Sequence, residues 1–205
     1  SNTGIVTFTG LSFNRAGTYK IHFEDGALTA ADSVSFTISA AAAHHIAWVT
    51  QPQSSVASRA AMSTVPVVEV QDQFNNPVLD SVTTISATVI SGTSISVAGS
   101  RSANVLGDSF IELPNLAVEG LAGTKKLRFS MVANSANASV AFADSADFSL
   151  TFGVATRLSA SATAVTVSNR TNFPSVTISV LDSAGNIVTD NQAQIIASAS
   201  GLAAT

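Results

Sequence analysis

One pattern of apolar and polar residues occurs twice in this chain, at a separation of 110 residues. In each copy an alternating strand pattern leads into a polar turn, and an apolar residue follows the turn. Five positions superpose without a gap: Val68 with Ile178, Val70 with Val180, Asp72 with Asp182, Asn76 with Asn186, and Val78 with Val188. Self-similarity at a fixed spacing indicates a tandem array of structural units, so this feature limits the possible folds most strongly.

The rest of the unit also recurs, with loops of different length between its parts. The patterns at 8–13, 17–23, 31–38 and 43–46 return at 113–118, 123–129, 143–150 and 155–158. We therefore expect residues 1–41 to be the C-terminal half of a repeat, 42–153 a complete repeat, and 154–205 the N-terminal half of another. Because a half repeat stands at each end, we expect this sequence to be an excerpt from a longer array. The only candidate hinge is Phe152-Gly153-Val154, so successive repeats should sit close end to end.

The complete repeat contains about seven strand-like runs, at 44–50, 65–71, 83–90, 94–97, 109–118, 124–132 and 145–151. Seven short strands in roughly 110 residues are typical of an immunoglobulin-like (Ig-like) sandwich. The predicted fold is therefore all-β, with tandem Ig-like β-sandwich domains of about seven strands each. The predicted inward-facing residues are Ile46, Trp48, Val68, Val70, Ile85, Ala87, Leu116, Val118, Leu127, Phe129, Phe148 and Leu150.

Composition argues against several classes of function. Only 11% of the 205 residues are charged and the net charge is −4, without the basic stripe that phosphate binding requires. No run approaches the roughly 18 apolar residues that a helix needs to span a bilayer. The lack of cysteine removes disulfides and thiolate metal sites. We expect no nucleic-acid partner and no direct membrane insertion.

The repeated turn supplies the candidate site residues. Calcium needs six or more oxygen ligands, whereas each turn offers one aspartate and one asparagine. Such side chains also hydrogen-bond the backbone of their own turn and tolerate left-handed φ angles. We predict that they structure their turns, with calcium as the weaker alternative and with no metal or other cofactor; the residues are Asp72, Asn76, Asp182 and Asn186.

The remaining polar residues form no catalytic pattern. His44 and His45 are neighbours at the start of a strand pattern and should point to opposite faces, while His22 lies on the polar face of its strand. The sequence lacks a nucleophile elbow, and its acidic loop residues have no apolar pocket around them. We predict no catalytic residues and no enzymatic activity.

Two further features concern carbohydrate. Asn137 and Asn169 begin N-glycosylation sequons, which matter only in a host with that machinery. Trp48 would be a platform for sugar stacking if it were exposed, but its alternation with Ile46 favours a core position.

Three motifs carry a resemblance to a known family. They are Ala-x-x-Ile-x-Trp-x-Thr-Gln-Pro at 43–52, Val-x-Val-x-Asp-x-x-x-Asn-x-Val at 68–78 and Gly-Thr-x-x-Leu-x-Phe at 123–129. The chain resembles the tandem bacterial-type Ig-like repeats of large surface proteins, such as invasin and intimin stalks, related adhesins and filament shafts. The resemblance implies an extracellular or cell-surface location and partners that are neighbouring repeats, or copies of the chain in a filament.

The leading expectation is a non-enzymatic structural module of an extracellular fibre, stalk or surface filament, serving as a spacer for adhesion or an appendage. The alternative is an adhesin module whose loops bind glycan or a host receptor. That alternative predicts exposed aromatic residues on loops, whereas the single tryptophan and single tyrosine fall in strand patterns. A further hypothesis is that residues 154–205 and 1–41 of neighbouring copies supply complementary halves of one domain.

Overall fold

A computed structural model of the chain describes residues 4–79, 84–92, 96–98, 102–104, 108–132, 141–161, 166–198 and 201. Within these residues all regular secondary structure is β, in eighteen strands. The predicted all-β class is confirmed. The described residues include no helix of the length and apolar character that crossing a bilayer requires.

The strands fall into three segments along the chain. The N-terminal segment contains β1 (Gly17–Tyr19), β2 (His22–Phe23), β3 (Ala31–Asp32) and β4 (Phe36–Ile38). The central segment contains β5 (His45–Thr50), β6 (Ser55–Ala57), β7 (Val67–Gln71), β8 (Thr84–Val89), β9 (Ser96–Ala98), β10 (Ser102–Asn104), β11 (Phe110–Glu112), β12 (Ala117–Glu119), β13 (Gly123–Lys125), β14 (Leu127–Val132), β15 (Phe142–Asp144) and β16 (Phe148–Thr151). The C-terminal segment contains β17 (Arg157–Ala160) and β18 (Ile178–Leu181).

Two sheets enclose the core of the central segment. One has the strand order β10-β8-β14-β15, the other β11-β7-β5, and the smaller sheets β12-β9 and β13-β16-β6 lie beside them. Alternate residues of both large sheets belong to one apolar cluster, because successive side chains of a strand point to opposite faces. This arrangement is consistent with a β-sandwich.

The predicted inward set is confirmed. Eleven of its twelve residues are buried, and the twelfth, Trp48, is partly buried against the same cluster. The Trp48 ring centroid lies 4.7 Å from that of Phe129, and its Nε1 donates a hydrogen bond to the Asp144 carbonyl at 2.8 Å. Trp48 is therefore a core residue and is not a sugar platform.

Several predicted strand bounds are wrong. The run at 109–118 is interrupted by a turn at Pro114-Asn115, where Asn115 adopts a φ of 59°. The run at 124–132 is interrupted at Lys126, because β13 pairs with β16 whereas β14 pairs with β8 and β15. The described central segment has twelve strands where about seven were predicted. The short strands β6, β10 and β15 were not predicted, since three residues are too few to show alternation.

The sequence repeat is also a repeat of strand register. Gly17 pairs with Ile38 and Tyr19 with Phe36 in the N-terminal segment; at the equivalent positions of the central segment Gly123 pairs with Leu150 and Lys125 with Phe148. Likewise, Leu158 faces Val180 as Ile46 faces Val70. Equivalent positions of the repeat therefore have equivalent strand partners in the N-terminal, central and C-terminal segments, although most of the residues at these positions differ.

Candidate functional site

The turn that follows β7 is organised by one carboxylate. Asp72 Oδ1 accepts hydrogen bonds from the backbone N–H groups of Phe74 and Asn76 at 2.8 and 2.9 Å. The Asp72 N–H donates to the Asn76 carbonyl at 3.0 Å, which closes the turn. Asn75 takes a φ of 65°, a left-handed conformation that asparagine tolerates better than most residues. These are the local contacts that a turn-structuring role requires.

The second oxygen of the same carboxylate binds a group outside the turn. Asp72 Oδ2 accepts from the N–H of Ala41 at 2.9 Å and from Asn76 Nδ2 at 2.9 Å. Ala41 lies in the connection that leads from β4 into β5. The turn is therefore tied to the chain that enters the central segment.

Asn76 extends this link to the N-terminal segment. Its Nδ2 donates to the Asn14 carbonyl at 2.8 Å, and its Oδ1 accepts from the Ala16 N–H at 2.8 Å. Both the nitrogen and the oxygen of the Asn76 side-chain amide therefore hydrogen-bond the loop that precedes β1. We call Asp72, Asn76 and the backbone groups of Asn14, Ala16 and Ala41 the first clasp.

The same arrangement occurs after β18. Asp182 Oδ2 accepts from the Gly153 N–H and from Asn186 Nδ2, both at 2.8 Å, and its Oδ1 accepts from the Asn186 N–H at 2.8 Å. Asn186 Nδ2 donates to the Gly120 carbonyl at 3.0 Å, and its Oδ1 accepts from the Ala122 N–H at 2.7 Å. This second clasp joins the C-terminal segment to the central one as the first joins the central to the N-terminal.

The two clasps differ in how closely the chains approach. Gly153 occupies the place of Ala41, and a Cβ built on it would lie 2.5 Å from the Ser58 carbonyl oxygen. Glycine is needed there because only hydrogen fits. The candidate hinge at 152–154 is thus held by Asp182 and by close packing against Ser58, so its expected role as a hinge is not supported.

The second clasp carries additional polar contacts. Ser183 Oγ, in the turn of the C-terminal segment, hydrogen-bonds Glu119 Oε1 at 3.0 Å. The same Glu119 oxygen lies 3.8 Å from Arg59 Nη1. Because these groups are partly solvated, they contribute modestly to stability. They add a third point of contact across the junction.

Both clasp carboxylates are fully buried. Burial by itself raises the pKa of Asp72, but hydrogen bonds from the Asn76 side chain and from the N–H groups of Ala41, Asn76 and Phe74 outweigh it and lower the pKa from 3.8 to about 2. The pKa of Asp182 is lowered in the same way, since burial is outweighed by hydrogen bonds from the Asn186 side chain and the Gly153 N–H. The clasps therefore favour ionised aspartate.

We expect acid to weaken the clasps. A carboxylate with a depressed folded-state pKa adds stability that is complete above its unfolded value and is lost as the pH falls through the folded value. For Asp72 this window lies between about pH 4 and pH 2. Urea unfolding of the native chain and of Asp72→Asn should show a difference in midpoint that shrinks across this window. A difference that grows toward low pH would contradict the assignment.

The geometry disfavours the calcium alternative at Asp72. Each of its carboxylate oxygens already accepts two hydrogen bonds from N–H groups, whose positive ends would repel a cation. In the described part of the chain, no group of three or more histidine, cysteine, aspartate and glutamate side chains is placed to hold a metal ion.

The other sequence candidates lie away from the clasps. Asn169 is exposed at a turn, and Asn137 lies outside the described residues. The expectation that His44 and His45 point apart is wrong, because their Nδ1 atoms are 3.4 Å apart. His44 precedes β5, so strand alternation does not apply to it. His22 pairs with Asp32 at 2.6 Å on the exposed face of its strand.

The backbone half of each clasp was missed by sequence reasoning. Amide and carbonyl groups occur in every residue, so no residue type marks Asn14, Ala16 or Ala41 as partners. One signal in the sequence could have indicated these partners. Asp72 and Asn76 recur 110 residues later, whereas Gln73 and Phe74 between them change. A turn that needed only polar residues would not require the same two side chains, so their recurrence indicates specific partners outside the turn.

Comparison with models of known protein families gives no match for this chain, and comparison with curated proteins gives none either.

Proposed function

We propose that this chain is a non-enzymatic spacer of an extracellular fibre, stalk or surface filament, built from tandem Ig-like domains with boundaries near residues 41 and 153. The observation that carries the proposal is the recurrence of one clasp at two consecutive junctions. A spacer needs junctions that are alike, because repetition of one geometry sets both its length and its direction.

The clasp opposes bending by holding each junction at two places. Asp72 binds the connecting chain at Ala41, and Asn76 binds a separate loop at Asn14 and Ala16. A single attachment would leave rotation free, and interdomain motion is the default where the interface is small. The part-buried hydrogen bond from Ala41 to the Asp72 carboxylate is worth roughly 1.5–3 kcal/mol, and each neutral bond of Asn76 to Asn14 and Ala16 roughly 0.5–1.5 kcal/mol. Together the two attachments oppose rotation.

The extracellular part of the proposal is supported by the resemblance to surface repeats, and the composition supports the β-rich fold. A chain with few charges that exposes serine, threonine and asparagine suits strand surfaces. The alternative, an adhesin module that binds glycan or a receptor through its loops, requires exposed aromatic residues there. Phenylalanines are exposed outside strands, among them Phe74 and Phe173, but the single tryptophan packs on Phe129 and Tyr19 lies in β1. We keep the spacer as the primary proposal because the clasp recurs at both junctions.

The stiffness of the first junction is the test. The chain has no native cysteine, so Ser35→Cys and Ser149→Cys place spin labels at two exposed positions on either side of the clasp. We expect double electron–electron resonance to give one narrow distribution of the distance between the two labels. Asn76→Ala should broaden it, because the contacts to Asn14 and Ala16 are lost while Asp72 keeps Ala41.

The control uses the same turn. Gln73 is exposed next to Asp72, so Gln73→Ala should leave the distance distribution unchanged. A distribution of label distances that is already broad in the native chain would contradict the spacer proposal. Binding of an isolated 42–153 fragment to a glycan array would favour the adhesin alternative.

A further inference from the structure

Two histidine rings meet at the start of β5. Nδ1 of His44 lies 3.4 Å from Nδ1 of His45, and the ring planes are inclined at 81° to each other. Strand alternation would have kept the two rings apart, because neighbours on a strand point to opposite faces. His44 precedes β5 and is not subject to that alternation, so the two nitrogen atoms come close together.

The separation of these nitrogen atoms suits a shared metal ion better than a hydrogen bond. A typical hydrogen bond from an N–H group is roughly 2.7–3.2 Å long, and the observed 3.4 Å exceeds that range. Two nitrogen ligands at roughly 2.0–2.1 Å from a tetrahedral Zn²⁺ lie about 3.4 Å apart, because the angle between them at the ion is tetrahedral. The observed distance therefore matches that between two ligands of one ion.

Hydrogen bonds determine which nitrogen of His45 carries the proton. In the register of β5 and β7, His45 lies opposite Gln71, and its Nε2 is 3.0 Å from Gln71 Oε1. The amide nitrogen of Gln71 donates to Glu69 Oε2 at 2.6 Å, so the amide oxygen is the atom next to the ring. Because an amide oxygen can only accept, the neutral ring of His45 carries its proton on Nε2. Its Nδ1 therefore keeps a free lone pair.

Gln71 and Glu69 give His45 the support that metal-binding histidines have in proteins. Such a histidine usually donates its second ring N–H to a polar oxygen, which holds the ring in place and raises the basicity of the ligating nitrogen. Glu69 is held in turn, since Ser109 Oγ hydrogen-bonds its Oε1 at 3.2 Å. All of these residues belong to the central segment. When His44 also carries its proton on Nε2, its Nδ1 lone pair is free for the same ion.

From these observations we propose that His44 and His45 bind one divalent transition-metal ion through their Nδ1 atoms, with Zn²⁺ as the ion that fits their separation. Imidazole is a good ligand for such ions, whereas Mg²⁺ and Ca²⁺ prefer oxygen. The pair supplies two of four ligands and water fills the other two positions, so binding is weaker than at a structural zinc centre with four protein ligands. This inference goes beyond the spacer function and does not depend on it.

Calorimetric titration of the full chain with Zn²⁺ tests the site. We expect the native chain to bind a single ion. His44→Ala and His45→Ala should each weaken binding by about tenfold or more because a ligand is lost, and Gln71→Leu by roughly tenfold because His45 loses the group that orients it. His22→Ala is the matched control and should bind like the native chain, since His22 is the only other histidine and pairs with Asp32. Titration with Mg²⁺ should give no binding.

Nuclear magnetic resonance of the native chain with ¹⁵N-labelled histidine gives a readout that needs no variant to fold. Zn²⁺ should shift the Nδ1 resonances of His44 and His45 and leave those of His22 unchanged. Before Zn²⁺ is added, the neutral ring of His45 should carry its proton on Nε2. A proton on its Nδ1 would contradict the proposed state of the ligand.

Three outcomes would overturn the metal site. The first is a native chain that binds no Zn²⁺ up to roughly 1 mM. The second is native-like binding by both His44→Ala and His45→Ala, and the third is a set of Zn²⁺-induced shifts confined to His22. A native chain that binds no Zn²⁺ but gives one narrow distribution of label distances would remove the metal site and leave the spacer function standing.

Discussion

Replacing Asp72 with alanine is expected to lower the free energy of unfolding of the central core by about 3 kcal/mol or more. The carboxylate is fully buried and accepts hydrogen bonds from the N–H groups of Ala41, Phe74 and Asn76 and from the Asn76 amide. Alanine leaves the two Asn76 donors buried without an acceptor and those of Ala41 and Phe74 part-buried without one. The loss should therefore exceed that of any one hydrogen bond.

Urea unfolding followed by tryptophan fluorescence measures this effect. Trp48 is the only tryptophan in the chain and sits against the central core, so its emission reports that core. Asp25→Ala is the matched control, because Asp25 also accepts two backbone hydrogen bonds, from Ala27 and Leu28, but is exposed. Water can replace the Asp25 carboxylate, so the control should change the midpoint little. Equal effects of the two substitutions would show that the buried clasp has no special role.

Phe129→Ala is expected to cost about 3–5 kcal/mol of unfolding free energy. The ring is fully buried at the centre of β14 and lies against Trp48. Its removal leaves a cavity that the paired strands β8 and β15 cannot close, since their backbone hydrogen bonds hold them in place.

Thermal unfolding followed by circular dichroism is the suitable measurement here, because the loss of Phe129 also changes the surroundings of the fluorescent Trp48. Phe110 is the matched control: it is also a phenylalanine in a strand of the central segment, but it is 47% exposed. Phe110→Ala should cost well under half as much. If both substitutions lowered the melting temperature equally, the position of the core would be misassigned.

The effect of acid on Asp72 links the predicted loss of stability in Asp72→Ala to the proposed stiffness of the junction. The depressed pKa of Asp72 means that protonation near pH 2 removes the charge that its four hydrogen bonds stabilise. The junction should therefore become more mobile in acid before the core unfolds, because the clustered side chains of the core are apolar. Label distances between positions 35 and 149 provide this measurement on the same chain.

The core positions could be predicted from the sequence because alternation is a local property. Each strand has two faces, and a buried face shows its apolar residues at every second position, as Val68 and Val70 do. The strand breaks at Pro114-Asn115 and at Lys126 could not be predicted in this way. They arise where the chain leaves one sheet for another, and the partner strand decides that point.

By itself the sequence determined that the chain is a β-rich repeat, which residues form its central core, and that Asp72, Asn76, Asp182 and Asn186 hold equivalent places in their turns. These properties depend on side chains close together in the chain. Only the tertiary structure decided that each turn holds the preceding segment, because its partners are backbone groups such as Ala16 and Ala122, which look the same in every sequence.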